Sequence, residues 1–119
     1  MQLEFILEDL VLPPKGVKIG ECLKKNKHFG YDKRYLMLGH SQLLIARDEN
    51  FDKIVGLIPL EGGFCMVKKP RDFGGLIIES TFRQYKFKFK EAKDLVEWYK
   101  KVQLVAAKDI QAEKYQVRV

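Results

Sequence analysis

The feature that most constrains the fold is a change in hydrophobic periodicity near Glu91. Between residues 17 and 89, short segments of β-branched and aromatic residues alternate with turn signals, which is typical of strands. From Glu91 onwards, apolar residues recur at steps of three and four, the period of an amphipathic helix. The seven predicted strands are Val17–Lys25, Arg34–Gly39, Gln42–Arg47, Lys53–Leu60, Phe64–Val67, Gly75–Thr81 and Gln84–Phe89.

Seven short strands at nearly regular spacing favour an antiparallel barrel or sandwich. The helix that follows places Leu95, Trp98 and Val102 on one face and is predicted to run from about 91 to 108 or beyond. With 119 residues, of which 46% are hydrophobic, the chain is long enough for one domain with a substantial core. The sequence therefore predicts a mainly β domain capped by one C-terminal helix.

The two ends of the chain are predicted to differ from this central domain, which we place at residues 17–108. Residues 1–16 form a lead-in that ends after Pro13-Pro14, and residues 109–119 extend the helix or form a tail. Met1-Gln2-Leu3-Glu4 lacks the basic region of a signal peptide, and no apolar stretch approaches the length of a membrane span. A short helix is predicted over residues 1–10, where apolar side chains have helical spacing: Leu3, Ile6, Leu7 and Leu10.

The composition argues against catalysis and metal binding. Two cysteines, Cys22 and Cys65, are too few for a disulfide scaffold or a structural zinc site, and both lie in apolar runs. His28 and His40 lack partners at metal-ligand spacing. Neither a nucleophile elbow nor a GxxxxGK[ST] phosphate loop is present. We expect a binding protein that is not an enzyme and carries no metal or cofactor.

The charge pattern points to an acidic partner. The formal net charge is +6, and basic residues are concentrated in residues 17–34 and again in residues 82–119. A positive balance of this kind favours phosphate-bearing partners such as lipid headgroups or nucleic acid. Five basic side chains lie within residues 24–34, namely Lys24, Lys25, Lys27, Lys33 and Arg34.

Three segments in order resemble the pleckstrin-homology (PH) domain. They are the opening strand at Lys18–Lys25, the run Lys33-Arg34-Tyr35-Leu36-Met37-Leu38, and Trp98 in the last helix. The resemblance covers residues 17–108. It implies a barrel that is open at one end and closed at the other by the helix. It also implies that phosphoinositide phosphates bind at the open end, to a Lys near the end of strand one and an Arg near the start of strand two, here Lys25 and Arg34.

The family resemblance and the chemistry of the side chains add further positions. Arg47 and Lys53 flank the loop between strands three and four, which in the family adds phosphate contacts. His28, Phe29 and Tyr31 near the tip of the first hairpin have aromatic rings of the kind favoured at membrane interfaces. The predicted headgroup-binding residues are thus Lys24, Lys25, Lys27, Lys33, Arg34, Arg47 and Lys53, and the predicted membrane-contacting residues are His28, Phe29 and Tyr31.

One departure from the family pattern bears on the ligand. Asp32 stands two positions before Arg34, where family members with high affinity for phosphoinositides carry a second basic residue. A carboxylate there repels phosphate, so phosphatidic acid or a monophosphorylated inositide becomes an alternative to a polyphosphorylated one. A short helical lead-in also resembles the acylated PH proteins of apicomplexan parasites, which combine a lipid anchor with phosphatidic-acid sensing. No acylation site is visible in the present sequence.

Two further alternatives are a nucleic-acid site and a protein-interaction module. Lys86 and Lys88 alternate with Tyr85, Phe87 and Phe89, which is typical of a strand with a core face and a solvated face rather than of a nucleic-acid site. A protein-interaction module on the same scaffold is the main alternative function. We expect a cytoplasmic monomer that binds anionic phospholipid, does not bind nucleic acid, and is peripheral on the cytosolic face of a membrane.

Overall fold

The structure is a computed structural model that describes residues 18–60, 65–80 and 83–118, with side chains described as far as Ala107. The predicted helix at residues 1–10 and the predicted strand ends at Val17, Phe64 and Thr81 lie outside the described residues. The elements are β1 (Lys18–Lys25), β2 (Tyr31–Leu38), β3 (Gln42–Ala46), β4 (Ile54–Pro59), β5 (Met66–Lys68), β6 (Leu76–Glu79), β7 (Gln84–Lys88) and α1 (Ala92–Arg118).

The seven strands form one antiparallel sheet in the order β4-β3-β2-β1-β7-β6-β5. The predicted fold class, seven antiparallel strands followed by one helix, is confirmed. β2 begins at Tyr31, three residues earlier than predicted, because the β1–β2 ladder continues to the pairs Lys24–Asp32 and Lys25–Tyr31. The turn between them is therefore limited to the five residues 26–30.

The sheet curves around a core built from the inward-facing side chains of its strands. Leu36 and Leu38 of β2 and Phe87 of β7 are fully buried there. Trp98, Val102 and Ala106 of α1 enter the same cluster, with Trp98 only 2% exposed and its ring stacked on Phe89 at 6.0 Å between centroids. The predicted placement of Trp98 on the core-facing side of the helix is thus confirmed.

Helix α1 packs against β5 and β6, at one end of the sheet order. Its first part is also tied to β1, because Lys18 Nζ donates to Glu97 Oε1. This hydrogen bond lowers the pKa of the Glu97 carboxyl. In the described part of the chain, no helix has the length and apolar character needed to cross a membrane.

A second, smaller apolar cluster lies on the outer face of β2 and β3. Met37, Leu44 and Ala46 are buried there, and the loop between β3 and β4 places Phe51 over them. Asp48 holds this loop, since its carboxylate accepts the backbone N–H of Lys53 at 2.8 Å and a second backbone N–H at 3.1 Å. These hydrogen bonds lower the pKa of Asp48. The β3–β4 loop is consequently anchored on the outer face of the sheet.

Candidate functional site

The loop between β1 and β2 is ordered by one side chain. The backbone N–H groups of His28 and Gly30 donate to Asn26 Oδ1 at 2.8 and 3.0 Å, and the Asn26 N–H donates to the Gly30 carbonyl at 2.9 Å. Phe29 has a φ of 71°, in the left-handed region that non-glycine residues seldom adopt. Local strain of this kind persists where the surrounding structure imposes it. The loop therefore holds Phe29 outward, with 93% of it exposed.

The β1–β2 register decides which basic residues face the interior. Directly opposed residues of an antiparallel pair share one face of the sheet. Cys22, which is buried in the core, pairs with Arg34, and Lys24 pairs with Asp32. Lys24, Asp32 and Arg34 therefore lie on the inner face, at the end of the barrel near the β1–β2 loop. Lys25 pairs with Tyr31 on the opposite face.

Two further cations complete this inner-face cluster. Arg47 follows β3 and Arg83 precedes β7, and both line one cavity of about 720 Å³ together with Lys24 and Arg34. Tyr85 forms part of the wall: the Arg83 guanidinium carbon lies 4.7 Å and Lys24 Nζ lies 6.0 Å from its ring centroid. The cavity thus receives one cation each from β1, β2, the end of β3 and the start of β7, and we call it the open-end cavity.

The positive charges in the open-end cavity act on one another. Partial burial, followed by the nearby charges of Arg83 and Arg34, lowers the pKa of Lys24. An anion placed between these groups relieves that repulsion and favours the charged form of the lysine. Arg supplies a planar donor fork and Lys a compact point charge, the pairing that suits a phosphate group.

Asp32 does not point away from this cavity. Its Oδ2 lies 3.5 Å from Arg34 Nη2, and Arg34 also donates from Nη1 to the carbonyl of Lys33 at 2.7 Å. Among the described residues that line the open-end cavity, six are basic and Asp32 is the single acidic one. The carboxylate therefore neutralises part of Arg34 inside a cavity that is otherwise strongly positive.

The remaining predicted headgroup residues fall into two groups. Lys25 and Lys27 also line the open-end cavity, with Lys25 Nζ 5.7 Å from the Phe29 ring centroid. Lys33 lies on the outer face, with its Nζ 3.5 Å from Glu21 Oε1. Lys53 is exposed on the β3–β4 loop. Neither Lys33 nor Lys53 is among the residues lining the open-end cavity.

The predicted membrane-contacting residues are also separated by the fold. His28 and Phe29 are exposed in the β1–β2 loop. Tyr31 is instead a half-buried residue of β2, with Lys88 Nζ 4.9 Å from its ring centroid. The structure therefore brings Phe29 to the tip of the hairpin and places Tyr31 on its side.

Arg83 is the cavity residue that the sequence reasoning did not single out. The alternation of β7 indicates its position, because Arg83, Tyr85 and Phe87 are spaced two residues apart and Phe87 faces the core. The alternation predicted for β7 is confirmed, with Phe87 buried and Lys88 opposite Leu23 on the outer face. Within residues 18–60, 65–80 and 83–118, no cluster of three or more His, Cys, Asp or Glu residues is placed to hold a metal ion.

Comparison with solved structures identifies the fold. The C-terminal PH domain of pleckstrin, in complex with an inositol pentakisphosphate, matches with a TM-score of 0.68 and 20% identity over 76% of this chain and 95% of that chain. The chain has the pleckstrin-homology fold. The PH domain of human oxysterol-binding protein-related protein 11 matches with a TM-score of 0.68 and 19% identity, covering 81% of this chain and 84% of that one.

A third structure with the PH fold carries a different ligand. The Slm1 PH domain in complex with phosphoserine matches with a TM-score of 0.64 and 17% identity over 79% of this chain and 99% of that chain. No protein-family profile and no curated protein sequence matches the chain. At these identities the comparison shows the shared fold, and the ligands belong to those neighbours.

Proposed function

We propose that this chain is a membrane-targeting module that binds an anionic phospholipid headgroup in the open-end cavity. The observation that carries the proposal is the convergence of Lys24, Arg34, Arg47 and Arg83 on one cavity beside the exposed Phe29. A phosphate bound there meets charged donors from several strands. The two PH structures in complex with inositol pentakisphosphate and phosphoserine support an anionic ligand.

The proposed mechanism is reversible binding to the cytosolic face of a membrane, without turnover. Each Lys or Arg near an anionic membrane surface contributes about 1 kcal/mol. The cavity cations provide the specific contacts, whereas Phe29 enters the interfacial layer, where aromatic rings are favoured. Because part of the attraction is Coulombic, binding weakens as the salt concentration rises.

Vesicle co-sedimentation tests the proposal. We expect the wild type to bind vesicles that contain phosphatidic acid or phosphoinositides, and the Lys24→Ala/Arg34→Ala variant to lose that binding. The matched control is Lys93→Ala/Lys100→Ala, which removes two equal charges from exposed positions of α1, outside the cavity. Equal binding by the two double variants would contradict a role for the cavity.

A protein-interaction module is the second candidate function, favoured by a groove between β1 and β7. The groove has a volume of about 570 Å³, and Phe89 and Trp98 form part of its wall. Ile19 and Leu23 also line it, and they are 57% and 44% exposed. β1 pairs with β7 only at Leu23 and Lys24, so the groove runs beside the unpaired stretch of β1. This alternative predicts ligand binding that survives loss of Lys24 and Arg34 and is abolished by Ile19→Asp.

A further inference from the structure

We infer that the open-end cavity holds one phosphomonoester between β1 and β7, and that Asp32 excludes a second phosphate from the side of β2 and β3. The inference rests on the proposed function and goes further by naming the ligand class and a specificity-determining residue. It follows from the unequal distribution of charge across the cavity.

Among the residues that the structure describes, none of those lining the β1–β7 side of the cavity is acidic. A smaller cavity of about 310 Å³ adjoins it at the gap between β1 and β7, and Lys24 and Arg83 line both cavities. Three further lysines complete its basic lining with Asn26 and Gln84, and two of them, Lys25 and Lys86, lie on the outer face of the sheet. The Arg83 guanidinium carbon and Lys24 Nζ lie 4.7 and 6.0 Å from the ring centroid of Tyr85, so both cations are next to the same ring. Arg83 is itself positioned by Ser80, whose backbone N–H and hydroxyl donate to the Arg83 carbonyl at 2.8 and 3.0 Å. A phosphomonoester with nearly two negative charges fits this set of donors.

The β2–β3 side offers a second phosphate a poorer environment. Its cations are Arg34 and Arg47, and Arg34 already lies 3.5 Å from the Asp32 carboxylate. Asp32 pairs with Lys24 in the register, so it lies between the β1–β7 side and Arg47. A phosphate on this side approaches a like charge and must compete for Arg34. Two like charges that lie close together repel strongly in a partly desolvated site.

The ligand class follows from this asymmetry. Phosphatidic acid and a monophosphorylated inositide both present one phosphomonoester, and either one satisfies the β1–β7 side alone. Bis- and tris-phosphorylated inositides present further phosphates that the Asp32 side rejects. This chemistry predicts an affinity that does not increase with the number of phosphates on the headgroup.

The experiment measures binding to phosphatidylcholine vesicles that contain one test lipid, with total charge equalised by phosphatidylserine. The arms are phosphatidic acid and mono-, bis- and tris-phosphorylated inositides, and soluble glycerol phosphate separates headgroup binding from membrane binding. We expect Asp32→Asn to raise the affinity for bis- and tris-phosphorylated lipids about tenfold, equivalent to about 1.4 kcal/mol. For the monophosphorylated lipids, the affinity of the same variant should rise by less than about threefold.

Two variants separate the inference from a general charge effect. Glu21→Gln removes the same charge from the same hairpin, but Glu21 pairs with Tyr35 on the outer face, and we expect it to leave the preference among headgroups unchanged. Arg83→Gln should abolish binding of the monophosphorylated lipids. Wild-type affinity that rises with phosphate number, or equal effects of Asp32→Asn and Glu21→Gln, would overturn the inference while leaving the proposed function intact. Absence of wild-type binding in every arm would overturn both.

Discussion

Trp98 Cζ2 lies 3.0 Å from the position that a Cβ atom on Gly20 would occupy. The indole is buried and stacked on Phe89, so it has little room to move away. This contact joins the helix to β1 and fixes which residues of the strand face the interior.

Gly20→Ala should therefore destabilise the protein by about 1–3 kcal/mol, the usual cost of an extra methyl group in a well-packed core. Chemical unfolding followed by circular dichroism measures the change. Ile19→Ala is the control, since this neighbouring side chain is largely exposed and its loss should change the free energy of unfolding by about 0.5 kcal/mol or less. Equal losses in the two variants would contradict the role assigned to the contact.

Lys24→Ala should weaken headgroup binding more than Lys25→Ala. Lys24 lies on the inner face with Arg34, and loss of a charged hydrogen bond costs about 1.5–3 kcal/mol. Lys25 lies on the opposite face, at the cavity mouth, where a charge near the membrane contributes about 1 kcal/mol. Titration with a soluble headgroup ranks the two variants. The reverse order would show that Lys25 is the phosphate-binding lysine, as the family resemblance implies.

Headgroup affinity should fall with rising pH earlier than an ordinary lysine predicts. Burial and the adjacent Arg83 lower the pKa of Lys24 in the free site, and a bound anion favours its protonated form. The affinity is therefore at its maximum below the pKa of Lys24 in the free site. It is lost as the pH rises through that pKa, which lies below the usual lysine value of about 10.4. Titrations from pH 7 to 10 should show this decline in the wild type but not in Lys24→Arg, whose guanidinium stays charged. Parallel profiles would rule out Lys24 as the titrating group.

Phe29→Ala should reduce vesicle binding and leave the affinity for a soluble headgroup unchanged. The ring is almost fully exposed, and transfer of a Phe side chain out of water is worth about 1.5–3 kcal/mol. Comparing vesicle and soluble-ligand titrations isolates the membrane contribution. A parallel loss in both assays would instead indicate that Phe29 supports the loop conformation.

The Cys22 thiol should resist alkylation in the native protein at pH 8. Burial raises its pKa to about 12, so almost no thiolate forms. Mass spectrometry after iodoacetamide treatment should find Cys22 modified only under unfolding conditions. Rapid native labelling of Cys22 would show that the barrel opens at this strand.

The fold was predictable from the sequence because strand and helix periods are strong signals and the transition at Glu91 is sharp. The inward-facing residues of β1 could not be predicted in the same way, because the most hydrophobic residues of this strand do not face the core. Ile19 and Leu23 are the more hydrophobic pair, yet they face outward, whereas Cys22 is buried. Trp98 occupies the space beside Gly20, and this long-range contact was not visible in the local pattern.

Two other features depended on tertiary structure in the same way. β3 is buried on both faces because Phe51 returns over its outer side, a contact that no alternation pattern in Gln42–Ala46 reveals. Arg83 reaches the cavity only because β7 pairs with β1 near Lys24. Basic residues clustered in sequence were thus easier to predict than those brought together by strand pairing.

The alternation of β1 also predicts how the chain tolerates changes in length. A one-residue insertion or deletion between Gly20 and Cys22, with Gly20 held by Trp98, would exchange the faces of the residues that follow. Because Lys24 and Lys25 are adjacent, a lysine would still face the cavity after such a change in length. Cys22, by contrast, would leave its buried position, and the exposed Leu23 would turn inward. Length variation in this strand is therefore limited by packing rather than by ligand contacts.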